Sequence, residues 1–257
     1  MFEQTKYFIV DLDGTFYRGD EPIPGAADCL RRIVETGRDY CFFSNNSSHS
    51  TAQICVRLAR MGFPTPPEKV LLSSGVSAEY IRRRYPGKTV FLLGNANLYE
   101  IIRQAGIPVV QNDPDIVLAG FDTDMTYTRM SDACRFLARG AVFLATHADL
   151  NCSTPDGFIP DAGAIQAMLI ASTGRQPTVL GKPMPPTMEY LTRKLHCRRE
   201  ELAFIGDRLE TDIRIGLDNG VPAILVMSGV TDAQTLRESA IRPTLVLPAM
   251  GDLIPYL

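Results

Sequence analysis

The chain of 257 residues has no apolar run long enough to cross a membrane. Its longest such stretches, Val221 to Met227 among them, are strand-sized, whereas a span needs roughly 20 residues. A charged N-terminal stretch followed by a long apolar one is also missing, so no secretory signal is expected, and three Asn-x-Ser triplets carry no weight as glycosylation sites. Cysteine is sparse, with six residues at 29, 41, 55, 134, 152 and 197 and no Cys-x-x-Cys or Cys/His cluster among them. That excludes a zinc module and points to buried thiols in a reducing cytoplasm. Neither sign of charge dominates: 26 Lys+Arg face 29 Asp+Glu for a net charge of −3. Basic stretches such as Arg82-Arg83-Arg84 are short and isolated, so there is no footprint for nucleic acid. An anionic ligand must be held by local devices. Internal repeats, low-complexity tracts and a Gly-x-Gly-x-x-Gly after the first strand are absent too, the last arguing against dinucleotide binding.

The composition is that of an ordinary globular protein, 45% hydrophobic and 21% charged, with chain enough for one large α/β domain or two smaller ones. Short apolar runs alternate with amphipathic stretches, the pattern of a mostly parallel, doubly wound α/β fold. Strands are expected at 7–10, 40–43, 89–93, 116–118, 141–145, 202–205 and 222–226. Helices are expected at 25–36 and 50–61, closed by Gly37 and Gly62, with Ser47 or Ser48 as N-cap of the second. Further helices end at Gly106, Gly174 and Gly220.

Four strand ends carry chemistry, three of them among these and one before Gly181. Phe8-Ile9-Val10-Asp11-Leu12-Asp13-Gly14-Thr15 ends in two carboxylates two residues apart, which share a face in an extended segment. They lie where open α/β sheets bind ligands. Their mutual repulsion is relieved by a divalent cation or by protonation of one of them. Phe43-Ser44-Asn45-Asn46-Ser47-Ser48 offers a hydroxyl and turn N–H groups suited to a phosphate oxygen, or to plain helix capping. Gly181-Lys182-Pro183 presents an ammonium at a strand end, outside any Walker A pattern. Gly206-Asp207-Arg208-Leu209-Glu210-Thr211-Asp212 supplies Asp207 as a candidate ligand of a hard cation. Asp212 is either a group that positions Lys182 or a metal-bound water, or an acid in a first helical turn.

In order and residue type these elements resemble the four motifs of the haloacid dehalogenase (HAD) superfamily. Phe-Ser-Asn-Asn-Ser-Ser, Ala119-Gly120-Phe121-Asp122 and Ala145-Thr146-His147-Ala148-Asp149, leading to Pro155-Asp156-Gly157-Phe158-Ile159-Pro160, resemble its subfamily IIA, the NagD-like or p-nitrophenyl-phosphatase-like branch. The resemblance implies a Rossmann-like core at 1–77 and 179–257 and an inserted α/β cap of the C2 type at 78–178. The distance along the chain from Ser44 to Lys182 agrees, being several times the roughly 30 residues of one βαβ step.

It further implies an Mg²⁺-dependent phosphomonoester hydrolase. Asp11 would be the nucleophile that forms an aspartyl-phosphate and Asp13 the general acid and base. Asp11, Asp207 and the carbonyl of Asp13 would bind the metal, while Ser44, Asn45, Lys182 and Gly14 would hold the phosphoryl group. His147, where the family often has Asn, would be a cap contact for the leaving group, as would Asp149, Asn151, Asp156 and Phe158. The implied partner is a small phosphorylated metabolite such as a sugar phosphate, nucleoside monophosphate or phosphoglycolate, with homo-oligomerisation through the cap. The competing expectation is a non-catalytic receiver-like phospho-switch or phosphate-binding module, which also clusters acids with a Ser/Thr and a Lys. Multiple turnover separates the two.

Overall fold

The computed structural model describes residues 2–154 and 156–257. Pro155, in the last of the family-like segments, lies outside them. The chain opens with β1 (Tyr7–Val10), the short hairpin β2 (Tyr17–Arg18) and β3 (Glu21–Pro22), α1 (Ala26–Glu35), β4 (Asp39–Ser44), α2 (Thr51–Arg60) and β5 (Val70–Leu72). Next come α3 (Ser73–Arg84), β6 (Val90–Leu93), α4 (Ala96–Gln104), β7 (Ile116–Ala119), α5 (Tyr127–Ala138) and β8 (Val142–Ala145). The hairpin β9 (Asn151–Thr154) and β10 (Gly157–Pro160), α6 (Ala162–Thr173), β11 (Thr178–Val179) and α7 (Pro185–Lys194) follow. β12 (Leu202–Gly206), α8 (Arg214–Asp218), β13 (Ala223–Val226), α9 (Ala233–Glu238) and β14 (Leu245–Leu247) complete it.

These elements form two compact units. The first gathers Met1–Ser44, Thr51–Leu71 and Leu191–Leu257; the second gathers Asn45–Ser50 and Leu72–Tyr190. In the first, one sheet runs in the order β14-β13-β12-β1-β4-β5. β1 is parallel to both neighbours, with Tyr7 opposite Leu202 on one side and Asp39 on the other. The chain therefore leaves β1 in opposite lateral directions for β4 and β12, which makes the carboxyl end of β1 the switch point where such sheets bind ligands. The central strands are almost wholly buried, as expected when helices cover both faces. Beneath them Phe16 meets Phe42 edge-on at 4.9 Å and Phe63 at 5.0 Å. Such pairs add to the burial of large rings.

The second unit has its own parallel sheet, β11-β8-β7-β6. Its core packs Phe91, Val117, Phe136, Phe143 and Leu169 together. The α/β architecture with parallel sheets agrees with the expected doubly wound core and α/β cap. β5, β14 and the hairpins β9–β10 and β2–β3 were not expected. The first two are three residues long, and β9 and β10 carry Asn, Ser, Thr and Gly in place of an apolar alternation, with every residue of β10 exposed.

Candidate active site

The carboxyl end of β1 delivers Asp11, and that of β12, one strand over, delivers Asp207. Asp212 joins them because the residues after β12 wind as a single π turn over Leu209–Ile213 before α8 begins, an irregularity frequent at functional sites. Its Oδ2 accepts the Arg208 N–H at 3.1 Å, which holds the turn closed. One carboxylate oxygen each from Asp11, Asp207 and Asp212 lies within 4.8 Å of the others. The sequence placed Asp212 outside the ligand set; it stands close enough to be a ligand itself.

Glycines make room for this cluster. A Cβ on Gly14 would lie 2.4 Å from Asp207 Oδ2, one on Gly229 1.9 Å from the same atom, and one on Gly206 2.1 Å from Asp212 Cβ. Gly14 also has φ +79°, a turn conformation that side chains disfavour. Its expected part in phosphoryl binding is corrected: the Gly14 N–H is taken by the Tyr17 carbonyl at 2.8 Å, and its carbonyl accepts the Ser228 hydroxyl at 2.7 Å. Gly14 serves by admitting Asp207.

Asp207 is 1% exposed. Its Oδ2 accepts the Val230 N–H at 2.6 Å, while Oδ1 is buried with no hydrogen-bond partner among the described residues. Burial first, and then the neighbouring Asp212 carboxylate, push its pKa up to about 7. A buried, partnerless carboxylate oxygen is costly, and a cation removes that cost. The donor set is all oxygen, as hard divalent cations require. The residues present fit a divalent metal.

Asp13 stands outside this trio. Its Oδ2 accepts the Tyr17 hydroxyl at 3.4 Å, and Arg57 in α2 reaches the same hydroxyl at 3.3 Å while lying 4.4 Å over the Tyr17 ring. Asp13 is exposed to solvent, although protein atoms crowd its carboxyl group. Desolvation raises its pKa, against opposing pulls from Arg57, Tyr17 and Arg208. Tyr17, fully buried, is itself shifted strongly upward by burial and by Asp13, so its hydroxyl remains a donor.

Ser44 ends β4 in the first unit and is 8% exposed. Asn45 and Lys182 belong to the second unit, where they hold each other. Asn45 Oδ1 accepts the Lys182 N–H at 2.9 Å and Nδ2 donates to the Lys182 carbonyl at 3.1 Å. The Asn45 side chain is thus engaged by the Lys182 main chain and by Asp149, leaving backbone as what it can offer a ligand. The peptide bond from Lys182 to Pro183 is cis.

The expected cap contacts divide. His147 is fully buried, with Nδ1 2.9 Å from Thr146 Oγ1 and Nε2 2.9 Å from Asp161 Oδ1. Its assignment as a leaving-group contact is corrected, because both ring nitrogens are engaged inside the protein. Asp149 accepts Asn45 Nδ2 at 3.1 Å. Asn151 and Phe158 sit on the β9–β10 hairpin, with Phe158 68% exposed. Ser47 does not cap α2; its hydroxyl lies 3.0 Å from Thr146 Oγ1 and accepts the Phe121 N–H at 2.9 Å. Sequence reasoning missed Asp161, whose only visible signal was its place before an apolar helix.

Residues 8–108 match the family described as Haloacid dehalogenase-like hydrolase, and residues 179–253 match a HAD-hydrolase-like family. The chain is 31% identical to 5'-nucleotidase YutF of Bacillus subtilis and 32% identical to an acid sugar phosphatase of Staphylococcus saprophyticus. Each comparison covers 98% of both chains. This protein belongs to the HAD-like hydrolases. Among solved structures it superimposes on 4-nitrophenylphosphatase of Thermotoga maritima with a TM-score of 0.94, at 36% identity over 98% of this chain and 97% of that one. NagD of E. coli K-12 gives a TM-score of 0.89, at 30% identity over 96% and 98%. The HAD member is therefore of the NagD-like branch, subfamily IIA.

Proposed function

We propose that this phosphatase hydrolyses small phosphomonoesters through an aspartyl-phosphate on Asp11, with Mg²⁺ as cofactor. The observation that carries the reading is the buried, partnerless Oδ1 of Asp207 beside the carboxylates of Asp11 and Asp212. Asp11, Asp207 and the carbonyl of Asp13 would hold the cation, with Asp212 adjoining. Bound there, it would neutralise negative charge on the phosphoryl group and act as a Lewis acid. Without such charge, a carboxylate about 4 Å from one phosphate charge meets about 4 kcal/mol of repulsion at an effective dielectric of 20.

A carboxylate oxygen of Asp11 forms a bond to phosphorus as the phosphorus–oxygen bond to the leaving group breaks. Asp13, whose raised pKa suits a group that must carry a proton, gives it to the departing alkoxide. The resulting Asp13 carboxylate then takes a proton from water, which attacks the same phosphorus and releases inorganic phosphate and the free Asp11 carboxylate. Ser44, the Asn45 backbone and the Lys182 ammonium bind the transferring group. Lys182 counters charge as it develops.

Residues 78–178 serve as the cap that reads the leaving group. The names of the relatives, a 5'-nucleotidase, acid sugar phosphatases and nitrophenylphosphatases, support sugar phosphates and nucleoside monophosphates as the first substrates to try, with phosphoglycolate beside them. The six cysteines, all free, support a cytoplasmic setting, and no helix among the described residues is long and apolar enough to cross a membrane. Pairing of two copies through the cap is the proposed assembly, testable by solution mass.

Asp11→Asn is the deciding experiment. It should abolish hydrolysis of p-nitrophenyl phosphate while the circular-dichroism spectrum stays native. Unchanged turnover in that variant would sink the mechanism.

A further inference from the structure

The geometry points to Asp149 as a positioning residue for the phosphoryl-binding turn at Asn45 and for Lys182, braced by a buried hydrogen-bond chain from Phe121 to Asp161. The inference rests on the reading that the Asn45 turn and Lys182 bind the transferred phosphoryl group.

The Asn45 amide does the work of a strand partner, one end accepting from the Lys182 N–H and the other donating to the Lys182 carbonyl. It does so only in one orientation. Rotated by 180°, its NH₂ would face the Lys182 N–H and its oxygen the Lys182 carbonyl, and both bonds would be lost. Those two bonds already favour one orientation, and Asp149 reinforces it: its Oδ2 takes the second Nδ2 hydrogen at 3.1 Å, which the oxygen of a rotated amide could not supply.

The surroundings are equally specified. A Cβ on Gly181 would lie 2.7 Å from Asn45 Oδ1, 2.7 Å from the Thr146 carbonyl and 2.8 Å from His147 Cβ, so the Lys182 turn is pressed against the end of β8. The Phe121 N–H must donate, and it donates to Ser47 Oγ. The Asp161 carboxylate must accept, and His147 Nε2 faces it. Between these fixed ends one direction satisfies every member: Ser47 hydroxyl to Thr146, Thr146 hydroxyl to His147 Nδ1, His147 Nε2–H to Asp161. Asp161 in turn caps α6, accepting the Ala162 N–H. A buried network with every member satisfied holds one conformation. Here it fixes Ser47, two residues from Asn45.

The test compares Asp149→Ala and Asp149→Asn in the full chain, read by inhibition with inorganic phosphate and by steady-state hydrolysis of p-nitrophenyl phosphate. Losing the acceptor should raise the phosphate inhibition constant and KM about tenfold, with kcat falling less than KM rises. Asp149→Asn keeps an acceptor for Asn45 Nδ2 and should stay within about threefold of the parent protein. If Asp149→Ala does not fold, Asp149→Leu replaces it, similar in volume and without an acceptor. Unchanged phosphate inhibition in a folded acceptor-free variant overturns the inference, as does an equal loss in Asp149→Asn. A parent protein that neither hydrolyses the ester nor binds phosphate would bring down the phosphatase reading itself.

Discussion

Replacing Asp207 by Asn should stabilise the metal-free protein while abolishing its response to Mg²⁺. A carboxyl group titrates near 3.9 when exposed, and in the folded chain Asp207 is pushed up to about 7. Below about pH 4 it is protonated whether the chain is folded or not. Between about 4 and 7 the folded chain keeps a proton that the unfolded chain has released, so stability falls as pH rises. Above about 7 the whole penalty is present. Taking about 1.4 kcal/mol per pH unit gives an upper bound near 4 kcal/mol, and relaxation around the pair with Asp212 lowers this to on the order of 2 kcal/mol. Asparagine avoids the penalty, since it carries no charge to desolvate and its oxygen can accept the Val230 N–H. The assay is thermal unfolding at pH 5 and pH 8, with chelator and with Mg²⁺. Parent protein should lose stability from pH 5 to 8 in chelator and regain about 2.7 kcal/mol when Mg²⁺ reaches a hundred times its dissociation constant. The variant should show a flatter pH response and little gain with metal. A variant less stable than the parent at pH 8 in chelator would refute the reasoning, because the partnerless oxygen would then carry no cost.

Gly229→Ala sets a Cβ 1.9 Å from Asp207 Oδ2; the carboxylate must retreat by more than coordination distances tolerate, and Mg²⁺ affinity by calorimetry should fall about 10- to 100-fold. Arg57→Gln removes a positive charge that lowers the Asp13 pKa, so the alkaline limb of the kcat/KM profile, where the general acid loses its proton, should move to higher pH; a move to lower pH contradicts the assignment. Asp13→Ala should cost about 10²- to 10⁴-fold in kcat with Mg²⁺ affinity nearly unchanged, measured by steady-state kinetics beside metal titration. Cys29 and Cys41, whose thiols burial pushes up to about 12, should resist a thiol reagent in the native protein and react after unfolding, which mass spectrometry of labelled peptides decides.

The strands that carry the site were legible because each is a short apolar run ended by polar residues, and Asp11, Asp13 and Asp207 are named by where those runs stop. Gly37 and Gly62 closed α1 and α2 as expected, at φ +81° and +80°. Asp212 was legible as an acid but not as a member of the carboxylate trio, because a π turn and an α turn read alike in sequence. The roles of Gly14 and Gly229 were hidden: what each excludes is the side chain of Asp207, about 190 residues from the first and about 20 from the second. His147 was misread for the same reason. A histidine after a strand looks available for a ligand until Asp161, fourteen residues on, is found against its ring.

The membership of Asn45–Ser50 in the second unit bears on how such enzymes can be recombined. A cap is easily imagined as a cassette, cut out at its two chain crossings and exchanged between relatives to transfer specificity. Here the second compact unit has a second piece, six residues encoded well upstream, whose Ser47 bonds inside that unit and whose Asn45 clamps Lys182. A chimera that moves 72–190 alone would pair a foreign interior with the host's loop, and its loss of activity would be mistaken for a mismatched substrate pocket. Moving Asn45–Ser50 together with 72–190 keeps that interior whole. Substitutions in Asn45–Ser50 and in 72–190 are accordingly expected to have arisen together.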